Sequence, residues 1–391
     1  MSQISLNVDE AKTFIKHIIK NNQELQSLNK KAVSLELVAD AGIGKTSIVQ
    51  QVAEDLGLQF VKLNLSMIEE LGDLVGFPVR QFEMCNEGKT ECLWIDEQAI
   101  PTYEKEGYKF TGEKRMSYCP PEWISGKGEG GILLLDDYTR ADMRFIQATM
   151  ELIDKQEYVS WKLPKNWHIL LTSNPSDGEY LVNEMDIAQK TRYISVNMQF
   201  DVKYWAKWAE EEGIDGRFIN FVLLNPEIVS KKVNPRSLVT FSNSISSIKN
   251  YEDSLSMIQM IGEGSIGPEA TGLFISFINN KLDQLVTPKW IMDTTYETVV
   301  TKLKDLIGSS NLGTYRADIG SVLCTRVLNY SINFAKDNKI EKEYIDRIEN
   351  LVLEDMFGAD LSYYLVKSLF GSSPKFKLLT LRQKLTKYII Q

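Results

Sequence analysis

Along the first half of the chain, short continuous apolar runs alternate with segments whose apolar residues recur three and four apart. That alternation marks strands buried on both faces between amphipathic helices. Residues 1–31 predict one helix, capped by Asn7 or Asp9, with Ala11, Phe14, Ile15, Ile18 and Ile19 on one face. Val33 to Val38 (VSLELV) predicts a strand, Ser47 to Leu56 a helix closed by Gly57, and Leu58 to Leu65 (LQFVKLNL) a second strand. Such a succession predicts parallel βαβ units.

From Leu71 to Gly131 the regular periods lapse. Gly72 to Val79 (GDLVGFPV) carries the glycines and proline of a tight loop, and Trp94, Tyr103, Tyr108, Phe110 and Tyr118 then lie among Lys and Glu. An insertion of this length, around 77–130, is expected to be functional, with about half of its aromatics serving as packing. Two segments end in paired acids after apolar residues: Trp94 to Glu97 (WIDE) and Gly131 to Asp137 (GILLLDD), the latter led in by the flexible run Ser125 to Gly131. The later one is favoured as a metal-binding strand. Its apolar run is longer, and a helix over Ala141 to Ile153 follows it, expected to bury Met143, Phe145, Ile146, Met150 and Ile153. WIDE runs instead into Pro101 and polar residues.

Glu157 to Pro175 predicts a hairpin turning around Leu163 to Asn166 and feeding a buried strand, His168 to Thr172, in which His168 reads as a packed core histidine. From Asp201 the pattern becomes helical, with Trp205 and Trp208 on one face, so a domain boundary is expected near 200. Turn-rich stretches at Gly262 to Gly272 and Ile307 to Tyr315 are expected to interrupt the helices. The basic end, Lys375 to Gln391, with Leu378, Leu381, Leu385 and Tyr388 at helical spacing, is expected to pack on the acidic body. The division implied is 1–200, 201–287 and 288–391.

Composition changes this picture little. A chain of 391 residues has room for two or three domains, and no apolar run approaches eighteen residues. The N-terminus has neither a basic stretch nor an apolar core of a leader, so a cytoplasmic protein without a membrane segment is expected. Cys85, Cys92, Cys119 and Cys324 lack metal-ligand spacing, and the histidines are His17 and His168, so neither a zinc site nor a disulfide framework is expected. The net charge of −9 disfavours broad nucleic-acid binding.

The candidate chemistry begins at Ala39 to Thr46, ADAGIGKT, between the first predicted strand and its helix. This is a Walker A loop: backbone N–H groups and the helix N-terminus surround phosphates, Lys45 neutralises β/γ oxygens, and Thr46 offers a hydroxyl to Mg²⁺. Asp40, Ala41, Gly42, Ile43, Gly44, Lys45, Thr46 and Ser47 are the expected nucleotide contacts. Ala39 stands where glycine is usual, which requires a negative φ there. Hydrolysis also needs a held Mg²⁺, an oriented water and positive charge. Asp136 is the candidate Mg²⁺ ligand beside Thr46, Asp137 would orient or deprotonate the water, and Asn174 in TSNP could bond that water and the γ-phosphate. Arg192 in MDIAQKTRY and Arg236 in VNPRS, where Asn234 caps and Pro235 opens a helix, supply the guanidiniums.

Through LVADAGIGKTSIV, GDLVGFPV, CPPEW, ILLLDDYTRA, NWHILLTSNPSDGEY, MDIAQKTRY and VNPRS, roughly residues 30–240, the chain resembles MoxR-type, dynein-related AAA+ ATPases. The resemblance implies an α/β fold: a P-loop core with a parallel sheet flanked by helices, a helical lid and a further C-terminal helical region. It implies ATP and Mg²⁺ as cofactors and a homo-oligomeric ring, usually a hexamer, with ATP at subunit interfaces. It also implies a protein client, of which a von Willebrand factor A partner is one kind. Arg192 would then act as an arginine finger in the neighbour's site, with Arg140 as a second intersubunit candidate, and Arg236 as the sensor-2 arginine of the lid. Asp137 stands where the family usually has Glu; its carboxylate is about 1.5 Å shorter in reach, enough to slow turnover while leaving binding intact. Three readings follow: an ATP-driven remodelling motor, a nucleotide-gated scaffold with little turnover, and a nucleic-acid motor or loader.

Overall fold

The computed structural model describes residues 5–88, 90–308, 315–354, 356–382 and 384–385. The chain divides into two compact units, Met1–Gln199 and Phe200–Gln391. In the first, strand β1 (Ser5–Leu6) leads into α1 (Val8–Ser27), then β2 (Ser34–Val38), α2 (Lys45–Leu56), β3 (Gln59–Asn64) and α3 (Leu71–Val75). Asn7 is the cap of α1, in a reciprocal capping box with Glu10, and Gly57 closes α2 in the left-handed region at φ 64°. Next come β4 (Pro78–Cys85), β5 (Cys92–Asp96), α4 (Ile100–Lys105), β6 (Lys109–Tyr118), β7 (Gly131–Asp136) and α5 (Met143–Lys155). The unit ends with β8 (Glu157–Tyr158), β9 (Trp161–Lys162), β10 (Trp167–Ser173), α6 (Ile187–Lys190) and β11 (Tyr193–Met198).

Six strands form one parallel sheet in the order β1-β11-β2-β10-β7-β3. Every residue of β7 and of β10 is buried. Both faces are covered, which is why these strands read as continuous apolar runs instead of alternating. One face packs Leu35, Leu37, Leu134 and Leu170 against α1 and α2. The other packs Leu133, Leu135, Ile169 and Leu171 against Phe145, Ile146 and Trp161. Here α5 departs from expectation: Met143 is exposed and Met150 half-buried, and Leu152 joins Ile153 in the core. The hairpin also differs, since β8 and β9 turn at Val159 and Ser160, before the expected Leu163 to Asn166.

The insertion folds as its own antiparallel sheet, ordered β5-β4-β6. Trp94 to Asp96 of WIDE therefore lie on β5, outside the parallel sheet. Cys85 and Cys92 face each other across β4 and β5 and are joined in a disulfide, contrary to the expectation of none. Spacing along the chain missed it because a hairpin brings positions seven apart into direct opposition. Arg115 stacks on Trp94, and Tyr103 meets Tyr108 edge-on, so these aromatics pack locally.

The second unit is helical: α7 (Val202–Glu211), α8 (Gly216–Leu224), α9 (Pro235–Ile245), α10 (Leu255–Ser265) and α11 (Gly267–Asn279) share a core rich in phenylalanine, centred on Phe218, Phe221 and Phe274. Then α12 (Pro288–Asp293), α13 (Tyr296–Ile307), α14 (Ala317–Asp337), α15 (Lys342–Leu353) and α16 (Ala359–Ser372) enclose a second core. Within this unit Arg326 of α14 is buried, pairing with Glu210 of α7 and donating to the Gly216 carbonyl and the Asn220 side chain of α8. Gly262 to Gly272, expected to be a break, is helical apart from Ile266, because Pro268 occupies an opening-turn position where its missing N–H costs nothing. The expected break at Ile307 to Tyr315 falls largely on residues 309–314, outside the described residues. The basic end winds as a 3-10 run over Pro374–Leu381, not an α-helix; Leu378 is exposed, Leu385 is buried, and Tyr388 lies outside the described residues.

Gly131 opens β7 directly beside Trp167 of β10, and a Cβ there would lie 2.6 Å from the indole, which is fixed by its own bond to the Gly128 carbonyl. Gly131→Ala should therefore destabilise the protein by about 1–3 kcal/mol, as overpacking typically does. Urea denaturation checks this, and an unchanged midpoint would mean that the indole can retreat.

Candidate functional site

The parallel sheet decides what meets what. β10 lies between β2 and β7, so three adjacent strands end side by side: β2 at Val38, β10 at Ser173 and β7 at Asp136. The Ala39 N–H donates to the Ser173 carbonyl, and the chain then departs from the ladder. Gly42 and Gly44 take the turn at φ 80° and 98°, whereas Ala39 is not among the positive-φ residues. Space is open around a Cβ at Gly44, so its backbone angle, not crowding, calls for glycine. Gly44 caps α2 without a side-chain acceptor, so the first-turn N–H groups at 45–47 have none from the cap. Asp40, Ala41, Gly42, Ile43 and Gly44 line this half-buried loop, Ser47 is exposed, and Tyr180 closes over it by donating to Asp40 and accepting from the Ala41 N–H.

Lys45 is 8% exposed and points back into the loop. Its ammonium donates to the Ala39 carbonyl at 2.6 Å, the Asp40 carbonyl at 3.1 Å and the Asn174 Oδ1 at 2.9 Å. The next residue, Thr46, donates to the Asp136 Oδ1 at 2.8 Å, and Thr172 on β10 donates to the same oxygen at 2.6 Å. Lys62 of β3 lies 3.0 Å from the Asp136 Oδ2. Burial alone would raise the Asp136 carboxyl, but bonds from Thr172, Thr46 and Lys62, together with the Lys62 charge, hold it below the ordinary value. A hydroxyl and an ionised carboxylate are hard oxygen donors of the kind Mg²⁺ takes, so Thr46 and Asp136 fit that ion. Asp137 follows in the left-handed region at φ 53°, which Asp tolerates, and its N–H bonds the Thr172 hydroxyl at 3.1 Å.

Lys45 with Asn174, and Thr46 with Asp136, thus form two hydrogen-bonded pairs on successive residues of the chain, with Asp137 attached to the second through Thr172. Arg192 does not join them. Tyr193 pairs with Ser34 at the start of β2, so Arg192 lies about 16 Å of strand away from the loop. Its guanidinium donates to the Ala188 carbonyl. Arg140 lies 3.9 Å from the Asp137 carboxylate and is half-exposed. Arg236 belongs to the second unit, exposed in the first turn of α9, where Asn234 caps by accepting from the Ser237 N–H.

Three contributors escaped sequence reasoning. Lys62 could have been suspected, as a cation in the middle of an apolar run needs a partner. Thr172 left no such sign, because a threonine inside a strand is ordinary. Tyr180 depends on tertiary folding alone.

No family model matches the chain, and no curated protein matches it. Among solved structures, two mutant forms of RuvB from Thermotoga maritima align with it at 12% identity: one over 98% of each chain with a TM-score of 0.32, the other over 84% of this chain and 91% of that chain with a TM-score of 0.36. A third, described as the Thermotoga maritima RuvB Holliday junction branch migration motor, is 12% identical over 80% of this chain and 88% of its own, with a TM-score of 0.33. Likeness at this level says nothing of the chemistry, which rests on the geometry above.

Thr172→Val keeps the volume but removes a donor to Asp136 and an acceptor from Asp137. The Asp136 pKa should rise toward the ordinary carboxylate value, read by NMR titration of the carboxyl carbon; an unmoved value would mean that Thr46 and Lys62 suffice. Because the native value is depressed, the group's contribution to stability is full above the unfolded value near 4 and is lost as pH falls through the native one. The variant should therefore lose less stability than wild type between neutral and acid pH.

Proposed function

We propose that the chain is an ATP-binding and ATP-hydrolysing AAA+ ATPase of MoxR type, acting as a homo-oligomeric ring, a hexamer by family habit, that remodels a protein client such as a von Willebrand factor A-type partner in the cytoplasm. The observation that carries this reading is that successive residues of the loop reach the ends of two neighbouring strands, Lys45 bonding Asn174 and Thr46 bonding Asp136. In this reading the residues 40–47 bind the nucleotide, with Lys45 on the β/γ-phosphates. Thr46 and Asp136 would hold Mg²⁺, which would supply positive charge for the phosphates. Asn174 exchanges its bond to Lys45 for one to the γ-phosphate and the attacking water, and Asp137 orients that water.

The distance of Arg192 from its own loop favours action in trans. Leu181 and Ile187, 94% and 82% exposed, both precede it in sequence, and Met143 is exposed beside Gln189. An apolar surface of that kind next to an arginine suits contact with a second copy. Residues 201–287 then serve as the lid, with Arg236 sensing the γ-phosphate, and residues 288–391 as a further helical region. Among the described residues no helix is long and apolar enough to cross a membrane. The net charge of −9 leaves nucleic acid disfavoured as the substrate.

A second reading, a nucleotide-gated scaffold, is favoured by one observation: Asp137 is short and lies near Arg140 rather than projecting freely.

Lys45→Ala and Arg192→Ala should each abolish ATP turnover, by a factor of about 10³ or more for the arginine. Mixed in equal amounts, they should regain measurable activity, since a hybrid interface unites an intact loop with an intact arginine. Failure of the mixture would place Arg192 in its own subunit's chemistry or in none. Asp137→Glu should raise turnover, and an unchanged steady-state rate would exclude the short acid as the limit.

A further inference from the structure

Asp137, Asn174 and Arg192 each have a sequence neighbour that turns into the same buried place. Tyr138 is fully buried, Ser173 is 1% exposed and Tyr193 is 8% exposed. Among them lies Glu36, an acid in the middle of the strand that leads into the Walker A loop, 6% exposed. Residues two apart on a strand share a face. Glu36 pairs with Leu171 of β10 and Ser195 of β11, and Ser34 pairs with Tyr193. Glu36, Ser173 and Tyr193 therefore point to one side of the sheet, the side on which Tyr138 and Tyr193 pack in a common core. The Ser173 hydroxyl donates to the Glu36 Oε1 at 2.5 Å, and the two tyrosine rings meet edge-on at 6.3 Å.

The electrostatics follow the same map. Burial above all pushes the Tyr138 phenol up to about 12, with a bond to Thr149 opposing and the Glu36 charge adding. Burial, then Glu36, then Tyr138 push Tyr193 up as well. An acid in this position costs desolvation that a leucine would not, and only specific bonds offset it.

We infer that Glu36 is a positioning residue: its carboxyl ties the strand end bearing Asn174 to the Walker A strand and, through Tyr138 and Tyr193, sets the backbone that carries Asp137 and Arg192. This rests on the ATP-hydrolysis reading above. A γ-phosphate that draws Asn174 off Lys45 shifts Ser173, and Glu36 passes that shift to Tyr193, the residue after the arginine. The acting groups of two different sites, one cis and one trans, are thereby held in one register.

The test compares Glu36→Leu, which removes the acceptor, with Glu36→Gln, which keeps one for Ser173, and with Ser173→Ala, which removes the donor at little steric cost. The expected result is a fall in kcat of about tenfold for Glu36→Leu and Ser173→Ala at unchanged KM, since displacing a catalytic group by a fraction of an ångström is costly. Glu36→Gln should remain within about twofold of wild type, and binding of a fluorescent ATP analogue should be equal in all. Wild-type kcat in Glu36→Leu and Ser173→Ala overturns the inference, as does a rise in KM that tracks a fall in melting temperature. If Glu36→Leu does not fold, Ser173→Ala decides. A wild-type protein without Lys45-dependent turnover overturns the hydrolysis reading itself, and this one with it.

Discussion

The constraint on which the site depends is the ionised state of Asp136 at the end of a fully buried strand. Burial alone would raise its pKa; two hydroxyls and an ammonium outweigh that and hold it below the ordinary value. Each comes from a different element: Thr46 from the loop helix, Thr172 from β10 and Lys62 from β3. Holding one carboxylate charged therefore also aligns three elements, and the loop from Ala39 to Thr46 inherits its geometry from that alignment. The cluster is worth more as a whole than as a sum of pairs, since loss of any donor leaves the others beside a costlier charge.

Much of this core was legible because the physics that forms it is local or periodic. Gly42 and Gly44 announce positive φ, Lys45 and Thr46 follow at fixed offsets, and the runs ILLL and HILL announce strands with both faces covered. Run length and the helix that follows favour LLLDD over WIDE, and the structure places the first in the parallel sheet and the second in a separate one. What could not be read was lateral order. Nothing in the chain states that β10 lies between β2 and β7, and the bonds of Thr172, Ser173 and Asn174 all follow from that placement. The same limit hid the bond between Cys85 and Cys92, which depends on hairpin register and not on motif spacing.

In the helical unit the misreadings have a different origin. Glycines at 262, 264, 267 and 272 suggested a turn, but helices tolerate glycine when tertiary contacts repay it: a Cβ on Gly262 would lie 2.5 Å from the Thr271 hydroxyl, so close crossing of α10 and α11 demands its absence. At the basic end, Leu378 lies exposed on a 3-10 run that instead buries Phe376 and Leu379, three apart, as eclipsed side chains at every third residue do.

The sheet order also bears on how the protein is made. β2 is complete by Val38, yet its two hydrogen-bonding neighbours begin at Trp167 and Tyr193. During synthesis the strand that leads into the Ala39 to Thr46 loop must wait, unpaired, while more than a hundred residues emerge, including an antiparallel insertion that can close on itself much sooner. Pairing at such sequence separation is slow, and an apolar strand left waiting is exposed to association with other nascent chains. The first unit is thus expected to be a client of chaperones at birth, its central strands among the last to lock in place.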